Sequence, residues 1–144
     1  MSAGRHARRV AAALALLAAP GWLAAAELSV LIDLSDQRME VRRAGVGIAD
    51  WPVSTARSGK VTPTGLFVPQ TLVRDHRSTL YDGAPMPWSI FFSGNYAIHG
   101  TTQVGALGAP ASAGCVRLHP DNARQLFELV KEVGKSETLI EIRP

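Results

Sequence analysis

The stretch Leu28–Arg43, LSVLIDLSDQRMEVRR, decides how the rest of the chain is read. Leu28 to Leu34 is a β-rich apolar run. Ser35-Asp36-Gln37 is a turn, and Arg38 to Arg43 alternates charged and apolar residues with period two. That period sends successive side chains to opposite faces, so the stretch is a β-hairpin with one wet face.

Downstream the same grammar continues. Ala44-Gly45 turns the chain, and Val46 to Thr55 extends it. Arg57 to Gly65 (RSGKVTPTG) is a loop rich in turn residues. Gly65 to Arg74 reads as a strand in which Pro69 demotes part to an edge or bulge. Asp75 to Pro87 reads as a long irregular stretch, of a length that often carries function. Trp88 to Phe92 (WSIFF) is a buried strand, and Gly94-Asn95 turns into Tyr96 to His99. Only one segment has helical periodicity. Pro120 and Asp121 suit a first turn, and Ala123, Leu126, Phe127, Val130 and Val133 make one apolar face before Gly134 stops it. Thr138 to Ile142 is a last strand. The expected fold is mainly β, a sandwich or partly closed barrel with one packed α-helix.

Upstream of the hairpin the composition changes. Arg5, His6, Arg8 and Arg9 make a basic start, Val10 to Ala19 is unbroken apolar, and Ala24-Ala25-Ala26 offers a small-x-small cleavage pattern before Glu27. Residues 1–26 read as a secretory signal peptide and 27–144 as one domain. The apolar run falls short of the roughly 20 residues a bilayer span needs. Arg8-Arg9 leaves both the general and the twin-arginine export routes open. The expected location is the periplasm, with no stable membrane span once the leader is removed. The leader also holds three of the 15 Lys and Arg, leaving twelve against 12 Asp and Glu. A mature domain near neutrality has no basic field to recruit nucleic acid or anionic membrane.

Export makes the cysteine count informative. The single cysteine, Cys115, lies in Ala111–Pro120, ASAGCVRLHP. In an oxidising compartment an unpaired thiol is a hazard unless it is buried or used. As a nucleophile it needs a base to take its proton. Three histidines are on offer after the leader. His76 sits in a polar stretch between Asp75 and Arg77 and reads as solvated. His119 precedes Pro120 and reads as a helix cap or a water-facing residue. His99 ends a strand and is followed by Gly100, a position from which an imidazole projects into a cleft or sits satisfied in the core. Ser58-Gly59-Lys60 lacks the hydroxyl and the first glycine of a P-loop. No cluster of His, Cys and carboxylates has metal-ligand spacing, and no cofactor is expected.

Taken together, these residues resemble the signature of the L,D-transpeptidase catalytic domain. His99-Gly100-Thr101 precedes Leu107-Gly108-x-Pro110-Ala111-Ser112-x-Gly114-Cys115-Val116-Arg117-Leu118. Upstream, Asp33-Leu34-Ser35-x-Gln37-Arg38, Pro52-Val53-Ser54-Thr55, Thr62-Pro63-Thr64-Gly65 and Met86-Pro87-Trp88-Ser89-Ile90-Phe91-Phe92 match as well. The resemblance covers nearly all of 28–142. It implies acyl transfer on peptidoglycan stem peptides: a cysteine attacks the carbonyl of the L-configured third residue, D-alanine leaves, and the thioester passes to an amine. By that likeness Cys115 is the nucleophile and His99 the base. Gly100 orients His99 through its carbonyl, amides around Gly114 and Cys115 are oxyanion donors, and Ser112 and Arg117 hold substrate. The family commonly has histidine where this chain has Ala113, which leaves His99 as the motif's only histidine. The implied acceptor is a second stem peptide or a protein amine, with water making the enzyme a carboxypeptidase. A papain-like endopeptidase would place its cysteine before its histidine, a sortase-like enzyme has a different motif, and an inactive wall-binding module has no use for the His99/Cys115 pair.

Overall fold

The computed structural model describes residues 26–144. The export leader expected over 1–26 lies, but for Ala26, outside the described residues. Among the described residues, nine strands form two sheets with one long helix. The hairpin forms as read: β1 (Leu28–Asp33) pairs antiparallel with β2 (Arg38–Arg43), from Leu28 opposite Arg43 to Asp33 opposite Arg38. Leu28, Val30, Ile32, Met39 and Val41 all point into the core. β3 (Val46–Pro52) pairs along the outer side of β2 with a bulge at Val41/Arg42. The last strand, β9 (Thr138–Arg143), lies parallel to β1, and the short β4 (Gly65–Phe67) completes a sheet of order β3-β2-β1-β9-β4.

The second sheet has the order β5-β6-β7-β8, with β5 Thr71–Arg77, β6 Pro85–Ser93, β7 Tyr96–Gly100 and β8 Val116–Leu118. The helix α1 (Pro120–Val133) packs on β6 and β7 and touches β1. It buries Ala123, Leu126, Phe127 and Val130, the face the periodicity predicts. Side chains from both sheets and the helix make one core, which includes Ile90, Phe92, Ile98, Val116 and Leu118. At the helix start His119 Nδ1 accepts the Asp121 N–H at 3.1 Å, the capping role open to it in the sequence. At the other end the Gly134 N–H closes on Val130 O.

Three elements differ from the expectation. The predicted strand over 65–74 breaks around Pro69: β4 joins one sheet and β5 the other, so the proline sits where the chain crosses between layers. The stretch Asp75–Pro87 is not one irregular loop. β5 runs through Arg77, β6 starts at Pro85, and only Ser78–Ala84 turns between them. β5 is an edge strand whose charged residues stand largely in water, so its composition looks like that of a loop. Pro85 and Pro87 are tolerated because β6 has β5 as its only partner there; β7 joins from Ile90 onward. The third element, β8, is three residues long and too short to show a period of its own.

Candidate active site

The site is built on the join between β7 and β8. They run parallel, with Ile98 beside Val116 and His99 beside Arg117. Side chains alternate along a strand. Ile98 and Val116 go to the core. His99 and Arg117 therefore share the opposite face, and Cys115, two residues before Arg117, joins them. A cleft of about 590 Å³ opens over this face, and His99, Cys115 and Arg117 all line it. Ala113 is also on its wall. Leu80 and Tyr81, from the β5–β6 turn, form an apolar flank although both are more than half exposed.

His99 is 6% exposed, and its Nδ1 lies 2.7 Å from Gly100 O. A carbonyl only accepts, so in the neutral ring Nδ1 carries the proton and Nε2 keeps its lone pair. The Gly100 carbonyl thus fixes the tautomer of the imidazole. Burial drives the His99 pKa down to about 4, and the charges of Arg117 and His76 push the same way; the Gly100 carbonyl opposes them. The ring is neutral from weakly acid pH upward. The thiol of Cys115 is shifted in the opposite direction. Burial raises it, more than the Ala97 amide and the Arg117 charge lower it. Its Sγ–H points at Asn95 O, 3.7 Å away. Imidazole and thiol are thus both pushed toward their uncharged forms.

The segment before Cys115 is held by backbone and buried hydroxyls. Ser112 N–H donates to Thr55 O, and Arg57 N–H to Ser112 O, both at 2.9 Å. Ser112 Oγ donates to Cys115 O at 2.6 Å and accepts Gly114 N–H at 3.0 Å. Thr62 Oγ1 donates to Gly114 O at 2.8 Å and accepts Ala56 N–H at 3.0 Å. Behind it, Gln37 Nε2 donates to Thr55 Oγ1 and Gln37 Oε1 accepts Thr55 N–H. These bonds engage two of the residues given roles above. Ser112 is 1% exposed and its hydroxyl proton is donated inside the loop, although the residue also lines the cleft. The Gly114 N–H is likewise already donated, to Ser112, so Gly114 is not a free oxyanion donor. The importance of Gly114 is steric. At φ +142°, a Cβ there would stand 2.6 Å from Tyr96 Cε1 and 2.8 Å from Val61 O.

Gln37, Thr55 and Thr62 had no role assigned from sequence. The signal was present, because each lies in one of the short stretches quoted above as matching. Arg57 was missed as well. Read as part of a turn-rich loop, it lines the cleft beside Arg117. Arg117 itself donates from Nη1 to Gln103 Oε1 at 3.2 Å. His76 and His119 are not among the cleft's lining residues; His76 stacks edge-on against Phe91, with centroids 5.0 Å apart.

A model of the L,D-transpeptidase catalytic domain matches residues 27–142. No curated protein matches the chain in sequence. Among solved structures the fold resembles an L,D-transpeptidase from Mycobacterium smegmatis, with TM-score 0.73 and 22% identity over 83% of this chain and 59% of that one. It also resembles the L,D-transpeptidase (residues 123-326) from Xylanimonas cellulosilytica DSM 15894, with TM-score 0.69 and 25% identity over 83% and 61%. A third is L,D-transpeptidase 3 from Mycobacterium tuberculosis in complex with a faropenem-derived adduct, with TM-score 0.71 and 15% identity over 83% and 61%. The chain thus spans about three fifths of the length of these solved chains.

Two outcomes follow from the geometry. Gly114→Ala must displace Tyr96 or the Val61 carbonyl, and is expected to cost roughly 1–3 kcal/mol or more in urea unfolding; a variant as stable as the parent contradicts the close approach. The second outcome concerns pH. With a folded pKa of about 4 against an ordinary 6.5, His99 contributes stability that is present above pH 6.5 and lost as pH falls toward 4, because the unfolded chain binds the proton first. The whole difference is roughly 3 kcal/mol. His99→Gln should therefore lose less stability than the parent between pH 7 and pH 4 in urea unfolding; equal losses contradict a neutral, buried His99.

Proposed function

The chain belongs to the L,D-transpeptidase catalytic-domain family, and from that premise we propose that it transfers acyl groups of peptidoglycan stem peptides through a thioester on Cys115. The observation that carries this reading is the shared face of β7 and β8. It sets a neutral imidazole with its Nδ1–H pinned, a thiol and an arginine in one cleft.

In the proposed reaction His99 Nε2 takes the Sγ proton as sulfur bonds to the carbonyl carbon of the L-configured third residue. The carbonyl oxygen becomes an oxyanion. Because the Gly114 amide is engaged, the Cys115 N–H is the donor we assign to that oxygen. A donor so placed contributes ~10²–10³ in rate in comparable sites. The C–N bond then breaks, the imidazolium proton passes to the departing nitrogen, and D-alanine leaves. An amine next gives its proton to His99 and attacks the thioester, and the thiolate departs and is reprotonated. Arg117, anchored by Gln103, is the residue we assign to a substrate carboxylate, for which a guanidinium offers paired hydrogen bonds. The basic start and apolar run of residues 1–26 support export to the periplasm, where this substrate lies.

Cys115→Ala is expected to abolish D-alanine release from a tetrapeptide stem while leaving the thermal melt near that of the parent. Mass spectrometry of the products names the acceptor: a cross-linked dimer for a second stem, a tripeptide for water, a peptide–protein adduct for a protein amine. Continued D-alanine release by the variant removes the cysteine mechanism. A variant that no longer folds points to a core role for the thiol instead.

A further inference from the structure

Arg57 stands at the cleft without an assigned task. Its backbone is fixed: its N–H donates to Ser112 O, its carbonyl accepts the Lys60 N–H, and the neighbouring Ala56 bridges Ser112. The main chain of Arg57 is therefore tied to the segment that carries Cys115, and its exposed side chain reaches the cleft wall. Arg117 lines the same cleft from β8. No aspartate or glutamate is among the lining residues. Among the described residues neither arginine forms a salt bridge. The two cations also feel each other: burial lowers the Arg117 pKa most, Cys115 opposes that, and the charge of Arg57 lowers it further. Like charges held together over a cleft without a counter-ion are relieved when an anion enters between them.

On the transpeptidase reading, the substrate brings such an anion to a defined place. The leaving residue ends in a free carboxylate, one residue beyond the attacked carbonyl, and adjacent Cα atoms are about 3.8 Å apart. A carboxylate held by two guanidinium forks is fixed in orientation as well as in charge. We propose that Arg57 is a specificity-determining residue of this site, the second arm of a guanidinium pair with Arg117 that receives the terminal carboxylate of the residue leaving from the scissile bond. The pair selects stems that end immediately after the cleaved bond, because a longer or amidated stem places a neutral group between the two forks. This inference rests on the proposed function and goes further, to the end of the stem that the site recognises.

The test compares a synthetic tetrapeptide stem ending in D-alanine with the same stem ending in D-alaninamide. The full chain turns over each, and released D-alanine or D-alaninamide is measured by mass spectrometry. The parent should favour the free acid by about tenfold or more in kcat/KM, the scale of a charge-assisted bond. Arg57→Ala should bring that ratio severalfold closer to one, mainly by raising KM for the acid, and Arg57→Lys should restore part of it. A ratio that stays at the parent's value in Arg57→Ala overturns the inference. So does a loss that is equal for acid and amide, which would make Arg57 a support for the loop. If the parent releases neither product, the proposed function fails first, and that outcome is distinct from the other two.

Discussion

The parallel pairing of β7 with β8 is the constraint on which the site depends. Setting Ile98 beside Val116 sends both into the core, and the alternation of the strand then leaves His99, Cys115 and Arg117 no face but the cleft. A register slip of one residue would exchange the two sets, burying an arginine and exposing two apolar side chains. Hydrophobic burial thus aims the polar groups. The helix helps, since α1 follows β8 after a single residue and packs on β6 and β7. Gly100, at the end of β7, is held between Pro87 and Pro120, where an added Cβ would come within 3.1 Å of each. The carbonyl that fixes the His99 tautomer is therefore itself fixed from both sides.

The electrostatics of the site follow from that burial. Taking the imidazole and the thiol out of water disfavours the charged form of each, and the two pKa values move apart: His99 down to about 4, Cys115 up. A thiolate–imidazolium pair is not the resting state. The sulfur is held as a thiol, which is less readily oxidised than a thiolate. The polar loop before it is rigid for a related reason. Buried hydroxyls of Ser112 and Thr62 each satisfy two loop groups, and Gln37 braces Thr55 behind them. Losing one of these hydroxyls leaves buried groups unpartnered.

Long periodic elements were legible in the sequence. The β1–β2 hairpin and the apolar face of α1 are local patterns, and local patterns survive being read alone. His99 and Cys115 stood out through the likeness of their motif, and both line one cleft, with the Gly100 carbonyl against the His99 ring. The failures have a common physical cause, which is dependence on a distant partner. β5 looks like a loop because an edge strand keeps polar residues in water, and β8 is a strand only because β7 lies beside it. That the Ser112 hydroxyl bonds within its own loop depends on where the Cys115 carbonyl and the Gly114 amide lie. Arg57 sits in a turn-rich run, and only the bridge from Ala56 to Ser112 carries it to the cleft.

In the proposed reaction a neutral His99 takes the proton from a neutral Cys115 as the sulfur attacks. The most direct test is the rate of covalent carbapenem adduct formation on Cys115 as a function of pH, for the parent and for His99→Ala, followed by intact-protein mass. The parent rate should rise through a limb near pH 4 and stay high through neutrality. His99→Ala should be slower by ~10²–10⁴ at pH 7, with the gap closing only above the ordinary thiol range, where the sulfur ionises unaided. A parent limb near the ordinary histidine value, or His99→Ala labelling at the parent's rate at pH 7, would contradict it.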